Sequence, residues 1–202
     1  NKRRYEMPDQ KASVGEKIKI LRVTKGMSLE EVSRKSGISG TNLAKFENDE
    51  LTPPLGNVVN LAQVFEVSVG DIFGDSGDSP FAIVRVGDRT AVSRFGSAYV
   101  QSTAYSYQGL GQQKRNRQME PFIVTLNPAA THAVEPNEHI GEEFIFVLEG
   151  RVEVTLLDHR DVLNPGDSIY YDSMLPHIVA CHGDKPATIL AVIYAKREMI
   201  IL

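Results

Sequence analysis

The spacing of apolar residues over positions 13–73 predicts a bundle of short amphipathic helices. Val14, Ile18 and Leu21 recur at the i, i+4, i+7 interval of one helical face. Ser28 stands three residues before Glu31, a capping-box spacing, and Gly37 provides a helix stop. The remaining apolar faces are predicted at Leu29 and Val32, at Leu43 and Phe46, at Leu55, Val58, Val59, Ala62 and Phe65, and at Ile72 and Phe73.

The pattern changes after GDSGDSP, residues 74–80, a stretch of turn-forming residues without periodicity. Beyond it, short segments rich in Val, Ile and aromatic residues alternate with period two, which is typical of an all-β barrel or sandwich. The sequence therefore predicts an α+β chain of two domains, a helical domain over 10–74 and an all-β domain over 81–202, with a linker at 75–80. The predicted strands are FAIVRVG, PFIVTLN, EFIFVLEG, RVEVTLLD, DSIYYD and ATILAVIYA.

Residues 28–47, SLEEVSRKSGISGTNLAKFE, contain the pattern of a helix-turn-helix. Two amphipathic helices are joined at Ser36-Gly37-Ile38, where glycine permits the left-handed backbone of a tight turn. Short polar side chains at the start of the second helix suit base edges and phosphates in a DNA major groove. The residues that we predict to contact double-stranded DNA are Ser28, Ser39, Gly40, Thr41, Asn42 and Lys45.

The match extends over roughly 60 residues, from VGEKIKILRVTKGMS to VNLAQVFEVSVGDIF. This region resembles the five-helix, lambda-repressor-like DNA-binding domain of the xenobiotic-response-element family of bacterial regulators. Two features depart from that family: Gly40 replaces a larger polar residue, and Asn48-Asp49-Glu50 follows the recognition helix. Acidic residues near phosphates weaken DNA affinity, unless they point away from the DNA. The residues left for phosphate contacts are Lys17, Lys19, Arg22, Lys25, Arg34 and Lys35.

Charge and composition agree with this interpretation. The net charge is −4, but residues 1–45 carry +6, residues 46–84 carry −7 and residues 85–202 carry −3. A basic N-terminal region in an acidic chain is compatible with a nucleic-acid reader. The apolar runs are too short to cross a membrane and the N-terminal residues do not form a signal peptide, while the single Cys excludes an intrachain disulfide. We expect a cytoplasmic protein.

The β half resembles a cupin, the double-stranded β-helix barrel. In AVEPNEHIGEEFIFVLEG, residues 133–150, His139, Glu143 and Gly150 fit the first cupin motif, and Asn137 replaces that motif's first His. In PGDSIYYDSMLPHIVAC, residues 165–181, His177 fits the second motif. The family's Asn after that His is Cys181 here, which we expect to be a buried structural residue.

By this resemblance His139, Glu143 and His177 form a two-His, one-carboxylate set with open positions, suited to Fe(II), Mn(II), Ni(II) or Zn(II). Alternation along the strand places Glu143 on one face with Ile145 and Val147, toward the barrel interior. A barrel that has lost its metal is the alternative. We also predict a ligand pocket at Tyr105, Tyr107 and Asn137, with Tyr99 in the same aromatic stretch, although core packing explains the tyrosines equally well. His132, His159 and His182 are expected to be solvated, and residues 112–120 to form a basic connection.

Together the two resemblances imply a DNA-binding transcriptional regulator, not an enzyme, with a small-molecule effector in the cupin and a homodimeric assembly. The alternative function is that of an iron enzyme similar to hydroxypropylphosphonic acid epoxidase, which has the same domain order. The His139-Ile140-Gly141-Glu142-Glu143 spacing fits that enzyme as well, and Tyr107 and Lys25 would then take substrate-binding roles. One fold can host both functions, so the sequence leaves this alternative open.

Overall fold

The computed structural model describes residues 12–73, 79–89, 105–114, 117–128 and 136–194. Its first described region is helical, and we call residues 12–73 the head. The head contains the predicted helices, and its core is formed by their apolar faces, with Ile18, Leu43 and Phe65 completely buried. The five helices are α1 (Val14–Thr24), α2 (Leu29–Ser36), α3 (Gly40–Glu47), α4 (Leu55–Val64) and α5 (Val69–Phe73).

The helix boundaries follow the local signals in the sequence. Ser28 caps α2 by accepting a 3.0 Å hydrogen bond from the Glu31 amide, and Gly37 ends the helix with a φ of 73°. Ser39 caps α3 in the same way, through the amide of Asn42 at 3.2 Å. The helix-turn-helix predicted over residues 28–47 is therefore confirmed as α2, a tight turn and α3.

The β region forms two antiparallel sheets, which we call the barrel. The larger sheet has the order β1-β2-β8-β3-β6, and the smaller sheet has the order β5-β4-β7. Alternate residues of the long strands point inward, so Ile145, Val147, Ile189 and Ile193 are buried at 3% exposure or less. The strands are β1 (Tyr105–Gly109), β2 (Met119–Leu126), β3 (Glu142–Glu149), β4 (Val152–Leu156), β5 (His159–Leu163), β6 (Ser168–Asp172), β7 (His177–Cys181) and β8 (Ala187–Tyr194).

One predicted strand is wrong. Residues 81–85 of the FAIVRVG segment have no strand pairing, and a 3-10 helix follows at Val86–Asp88. Phe81, Ile83 and Val86 are exposed by 65%, 62% and 76%, so the period-two pattern has no sheet to bury it. Alternation identifies residues that suit a strand, but a strand also needs a neighbour for its backbone hydrogen bonds. The predicted strands also do not include β1 and β5, and β7 was expected only as the strand that carries His177.

The head packs directly on the barrel. Phe73 of α5 meets Phe122 of β2 edge to face, with ring centroids 5.2 Å apart, and lies 6.3 Å from the ring of Tyr107. The side-chain amide of Asn60 on α4 donates a 3.0 Å hydrogen bond to the backbone carbonyl of Glu138. These contacts bring α4 to the mouth of the barrel, where the candidate site lies.

Candidate metal centre and nucleic-acid interface

The barrel brings together the three residues that the cupin motifs single out. His139 lies on the segment before β3, Glu143 on β3, and His177 at the first position of β7. Backbone hydrogen bonds fix this segment: Asn137 and His177 exchange two at 2.9 Å, and the His139 amide donates to the Ser173 carbonyl. The three side chains are buried, with residue exposures of 3%, 7% and 6%.

The potential ligand atoms of these residues converge on one point. All lie within 4.8 Å of one another, which is the spacing of a group that could hold a metal ion. Oε2 of Glu143 is 3.5 Å from Nε2 of His139 and 3.9 Å from Nε2 of His177. The two imidazole rings meet at 79° with their centroids 5.3 Å apart.

Neighbouring groups orient two of the three candidate ligands. Nδ1 of His177 is 2.7 Å from the Leu175 carbonyl, which can only accept, so this nitrogen carries the proton and Nε2 keeps its lone pair. Burial lowers the pKa of His177, against the opposing effects of that carbonyl and of Glu143. The imidazole is therefore neutral at neutral pH, which is the form that binds a metal. The hydroxyl of Tyr171 donates a 2.9 Å hydrogen bond to Oε2 of Glu143.

The third candidate ligand supplies the test of whether a metal fits. Nε2 of His139 is buried and has no hydrogen-bond partner among the described residues. A buried polar atom without a partner costs free energy, and a metal ion would satisfy it. Two imidazoles and one carboxylate suit a divalent first-row metal and leave coordination positions open. These residues fit such a metal, although they do not distinguish iron, manganese, nickel and zinc.

Inside the barrel, Glu143 and His177 line a cavity of about 60 Å³, which we call the chamber. Tyr105, Tyr107 and Asn137, the residues of the predicted ligand pocket, all line it. The hydroxyls of the two tyrosines are already used: Tyr105 donates to the Val179 carbonyl and Tyr107 to the Pro53 carbonyl, both at 3.2 Å. Burial raises the pKa of both tyrosines, so they stay protonated as donors.

A larger cavity of about 840 Å³, which we call the cleft, lies between the head and the barrel mouth. The chamber and the cleft have Pro54, Tyr105 and Asn137 in common, so the cleft adjoins the chamber. Its walls are about half polar and half apolar. Those from α4 carry Asn57, Asn60 and Gln63, and the barrel wall carries Glu138.

The candidate DNA-contacting residues lie at the start of α3 and near it. Thr41 and Lys45 are exposed and one helical turn apart, and nothing lies within 4 Å of the position of a Cβ on Gly40. Ser28 and Ser39 are exposed helix caps, whose hydroxyls can still donate to a phosphate. Asn42 differs from the expectation of an outward placement: it is half-buried and lines the cleft.

One basic residue expected to contact phosphate has a different role. Arg22 makes a two-pronged ion pair with Glu47, at 2.6 and 2.9 Å, and donates a further hydrogen bond to the Met27 carbonyl. The Glu47 carboxylate raises the pKa of Arg22 and holds its guanidinium inside the head. Lys25 and Lys35 make more exposed pairs, with Glu66 and Glu31.

The acidic residues after α3 are explained in the same way. Asp49 accepts hydrogen bonds from the Ser13 hydroxyl at 2.6 Å and from the Gly15 amide at 3.1 Å. Its carboxylate therefore stabilises the N-terminus of α1, where negative charge is favourable. This use of Asp49 accounts for an acidic residue beside a DNA-binding helix.

The remaining candidate residues lie away from the chamber. Cys181 is buried, and its Sγ donates to the Lys185 carbonyl, as expected for a structural residue. His159 is exposed, whereas His182 is half-buried with Nδ1 3.3 Å from a Glu153 oxygen, which corrects the expectation of a solvated ring. Tyr99 and His132 lie outside the described residues. In the basic connection, Arg117 pairs with Glu120 at 2.7 Å.

Three residues that form the site were not predicted from the sequence. Leu55 and Gly56, at the first turn of α4, line the chamber although they belong to the head. Tyr171 reaches Glu143 because β6 pairs with β3 in that register. Only the alternation in DSIYYD could have indicated Tyr171, and no signal in the helical pattern indicates that α4 covers the barrel.

Comparison with known proteins agrees with the two domains. The helix-turn-helix family model matches residues 18–72, and the cupin domain model matches residues 122–193. A curated relative, the HTH-type transcriptional regulator PuuR of Escherichia coli (strain K12), is 23% identical over 173 residues, which are 85% of this chain and 89% of the relative. The chain therefore carries a helix-turn-helix domain followed by a cupin domain, and it is similar to an HTH-type transcriptional regulator.

One solved structure shares the fold of this chain. An HTH_3 family transcriptional regulator from Vibrio cholerae has a TM-score of 0.61 and 22% identity, over 91% of this chain and 96% of that one. Hydroxypropylphosphonic acid epoxidase from S. wedmorenis has a TM-score of 0.47 and 24% identity, over 90% of this chain and 96% of that one. Within the described ranges, none of the regulator's helices has the length and hydropathy of a membrane span.

Proposed function

We propose that this DNA-binding regulator is a homodimer that holds a divalent metal at His139, Glu143 and His177 and senses a small molecule there. The observation that carries the proposal is that Nε2 of His139, buried beside a carboxylate and a second imidazole, has no hydrogen-bond partner in the described part of the chain. A bound metal would supply a Lewis-acidic centre for the oxygen atoms of an effector. His177 and Glu143 are held for this role by the Leu175 carbonyl and by Tyr171.

The DNA-reading role belongs to the start of α3. Thr41 and Asn42 are proposed to contact base edges, while Lys45, the two serine caps and the amides of α3 position phosphates. Thr41 and Lys45 are supported by their exposure on one face of α3. Asn42 faces the cleft, so its contact with a base requires DNA to approach from the side of the barrel mouth.

The proposed dimer forms through the barrel. The outer face of the larger sheet is apolar around Phe144 and Phe146 of β3, which pair in register with Val192 and Leu190 of β8. These four side chains are only half-buried in a single chain. In sedimentation at micromolar concentration, the full chain should be a dimer and Phe146→Lys should be largely monomeric. Thr155→Lys, on the smaller sheet, is the control and should stay dimeric. A monomeric wild-type chain would contradict the proposal.

The metal proposal is tested by comparing two adjacent glutamates. Glu143 faces the candidate ligands, whereas Glu142 is exposed on the other face of β3. Protein purified without chelators is analysed for bound metals, and Co(II) affinity is measured by calorimetry. Glu143→Gln should lose at least about tenfold in affinity because a ligand is removed, while Glu142→Gln should match the wild type. Equal affinity in all three proteins, or no bound metal in any, would overturn the metal centre.

Effector sensing is tested on a duplex selected from a random-sequence pool. Small organic acids are added to the metal-loaded protein, and DNA affinity is followed by fluorescence anisotropy. A coupling between effector and DNA commonly changes affinity by about 5- to 150-fold.

The same metal ligands would serve the epoxidase alternative, so the Fe(II) protein is also given 2-hydroxypropylphosphonate and peroxide. Formation of an epoxide would contradict the sensor function and support the enzyme function. Within one chain, Lys25 lines neither cavity, which does not favour its proposed substrate role.

A further inference from the structure

The first turn of α4 is the ceiling of the chamber. Leu55 and Gly56 line the chamber together with Glu143 and His177. Gly56 lies so close to the site that a Cβ at this position would be 2.4 Å from Nδ2 of Asn137 and 2.5 Å from Cδ2 of His139. Such distances are too short for any side chain, so only glycine permits this approach. The head thus forms one wall of a site whose candidate metal ligands all come from the barrel.

Among the described residues, two hydrogen bonds and the packing of Phe73 on two aromatic rings of the barrel hold this ceiling in place. Asn60 donates to the Glu138 carbonyl, immediately before His139, and Tyr107 donates to the Pro53 carbonyl, immediately before the first turn of α4. Phe73 packs on Phe122 behind them. Both hydrogen bonds are accepted by backbone carbonyls, and no ion pair within the described ranges joins the ceiling to the barrel, so the ceiling can separate without leaving a charged group unpaired.

The volume of the chamber limits what it can hold while the ceiling is closed. A cavity of about 60 Å³ accommodates roughly four water molecules. Sites for small organic ligands usually measure about 300–1,000 Å³. The chamber is therefore large enough for the open coordination positions of a metal and for a ligand of a few atoms. The cleft, at about 840 Å³, has the room that the chamber lacks, and it adjoins the chamber at Pro54, Tyr105 and Asn137.

We propose that the first turn of α4 is a lid shared between the domains, which sorts the ligands of the metal centre by size. Small oxygen-donor anions such as formate bind with the lid closed. Larger chelating oxyanions bind only when the head lifts, with the chelating group in the chamber and the remainder in the cleft. This inference rests on the proposed metal centre. It makes Asn60, Gly56 and Tyr107 determinants of ligand size, although none of them touches the metal.

The test compares two asparagines one helical turn apart. Asn60 makes the hydrogen bond to Glu138, whereas Asn57 lines the same cleft and has no side-chain hydrogen bond among the described residues. Wild-type protein, Asn60→Ala and Asn57→Ala are loaded with Co(II), and dissociation constants for formate and benzohydroxamate are read from the visible absorption of the ion. Thermal unfolding shows that each variant is folded.

We expect formate to bind equally to all three proteins. Benzohydroxamate should bind about 2- to 10-fold more tightly to Asn60→Ala, because one hydrogen bond less must be broken to lift the head, and should bind Asn57→Ala like the wild type. Three results would overturn the lid alone. The affinities for both ligands could change equally in Asn60→Ala, the affinity for benzohydroxamate could stay unchanged, or benzohydroxamate could bind to none of the proteins while formate binds. Failure of the wild-type protein to bind Co(II) would overturn the metal centre, and the lid with it.

Discussion

Tyr171 and Glu143 face each other across β6 and β3, and the tyrosine hydroxyl donates a 2.9 Å hydrogen bond to the carboxylate. Burial, together with the charge of Glu143, raises the pKa of Tyr171, so the hydroxyl remains a donor at any physiological pH. A donor held in this way orients the carboxylate lone pairs toward the two imidazoles.

Removal of this donor should weaken the metal centre without removing a ligand. Tyr171→Phe is expected to lose about 10- to 100-fold in Co(II) affinity, the usual effect of losing a group that orients a metal ligand. Tyr170→Phe is the control variant, because the Tyr170 hydroxyl bonds to Glu142 on the exposed face of the sheet. Calorimetric titration of both variants measures the effect. Unchanged affinity in Tyr171→Phe would show that the carboxylate needs no such support.

The recognition helix offers a test of base reading. Asn42→Ala should weaken the binding free energy for a selected duplex by about 1–3 kcal/mol and relax sequence preference at one position. The reason is that the side-chain amide of Asn can both donate a hydrogen bond to a base edge and accept one from it. Anisotropy titrations with the selected duplex and a random duplex measure the difference. An equal loss on both duplexes would remove Asn42 from base readout.

Lys45→Ala is the contrasting substitution on the same helix. Lys45 is exposed and basic, so its loss should weaken binding to both duplexes alike. The slope of log affinity against log salt concentration should fall by about 1, the contribution of one phosphate contact. A loss confined to the selected duplex would instead assign Lys45 to a base.

The Arg22–Glu47 pair should matter more for stability than for DNA binding. Arg22→Met leaves the buried Glu47 carboxylate without its partner and should lower the free energy of unfolding by about 3–5 kcal/mol. Arg34→Met removes an exposed arginine and should change it by less than about 0.5 kcal/mol. Urea unfolding of both variants gives the comparison. Similar free energies of unfolding in the two variants would mean that the ion pair does not stabilise the head.

A pH dependence follows from Glu153 on β4. The hydrogen bond from Arg160 lowers the pKa of this carboxyl, so the ionised form stabilises the fold above the unfolded-state pKa, and this contribution is lost as the pH falls through the folded-state value. Arg160→Met should therefore cost up to about 1 kcal/mol at pH 7, because the arginine is largely solvent-exposed. The difference from the wild type should shrink as the pH falls below about 4.3, the ordinary pKa of a Glu side chain, and should disappear below the folded-state pKa. A difference that persists in acid would require another cause. Arg151→Met is the control.

Local signals predicted the head well because they act within a few residues. Ser28, Gly37 and Ser39 cap or end their helices through hydrogen bonds to backbone groups three or four residues away. Alternation likewise placed Glu143 inside the barrel, with Ile145 and Val147 on the same face. Such features depend on the chain near each residue, and a single sequence contains that information.

Features that depend on distant parts of the chain were not predictable in this way. Arg22 was assigned to DNA because its partner Glu47 lies 25 residues away and on another helix. Asn42 was expected to face outward, but the position of the barrel decides that it lines the cleft. The segment at 81–87 has a strand pattern but pairs with no strand among the described residues. In each case an interaction between elements outweighs the local pattern.

The closeness of Gly56 to His139 also bears on protein engineering. DNA-binding heads are attractive parts to exchange between regulators, so that a known sensor controls a new promoter. In this protein a foreign head would bring its own first turn of α4, and with it a new ceiling for the chamber. Any larger residue at position 56 would push against His139 and Asn137. A chimera should therefore keep the barrel-facing residues of α4 with the barrel and replace only the residues of α3 that face DNA.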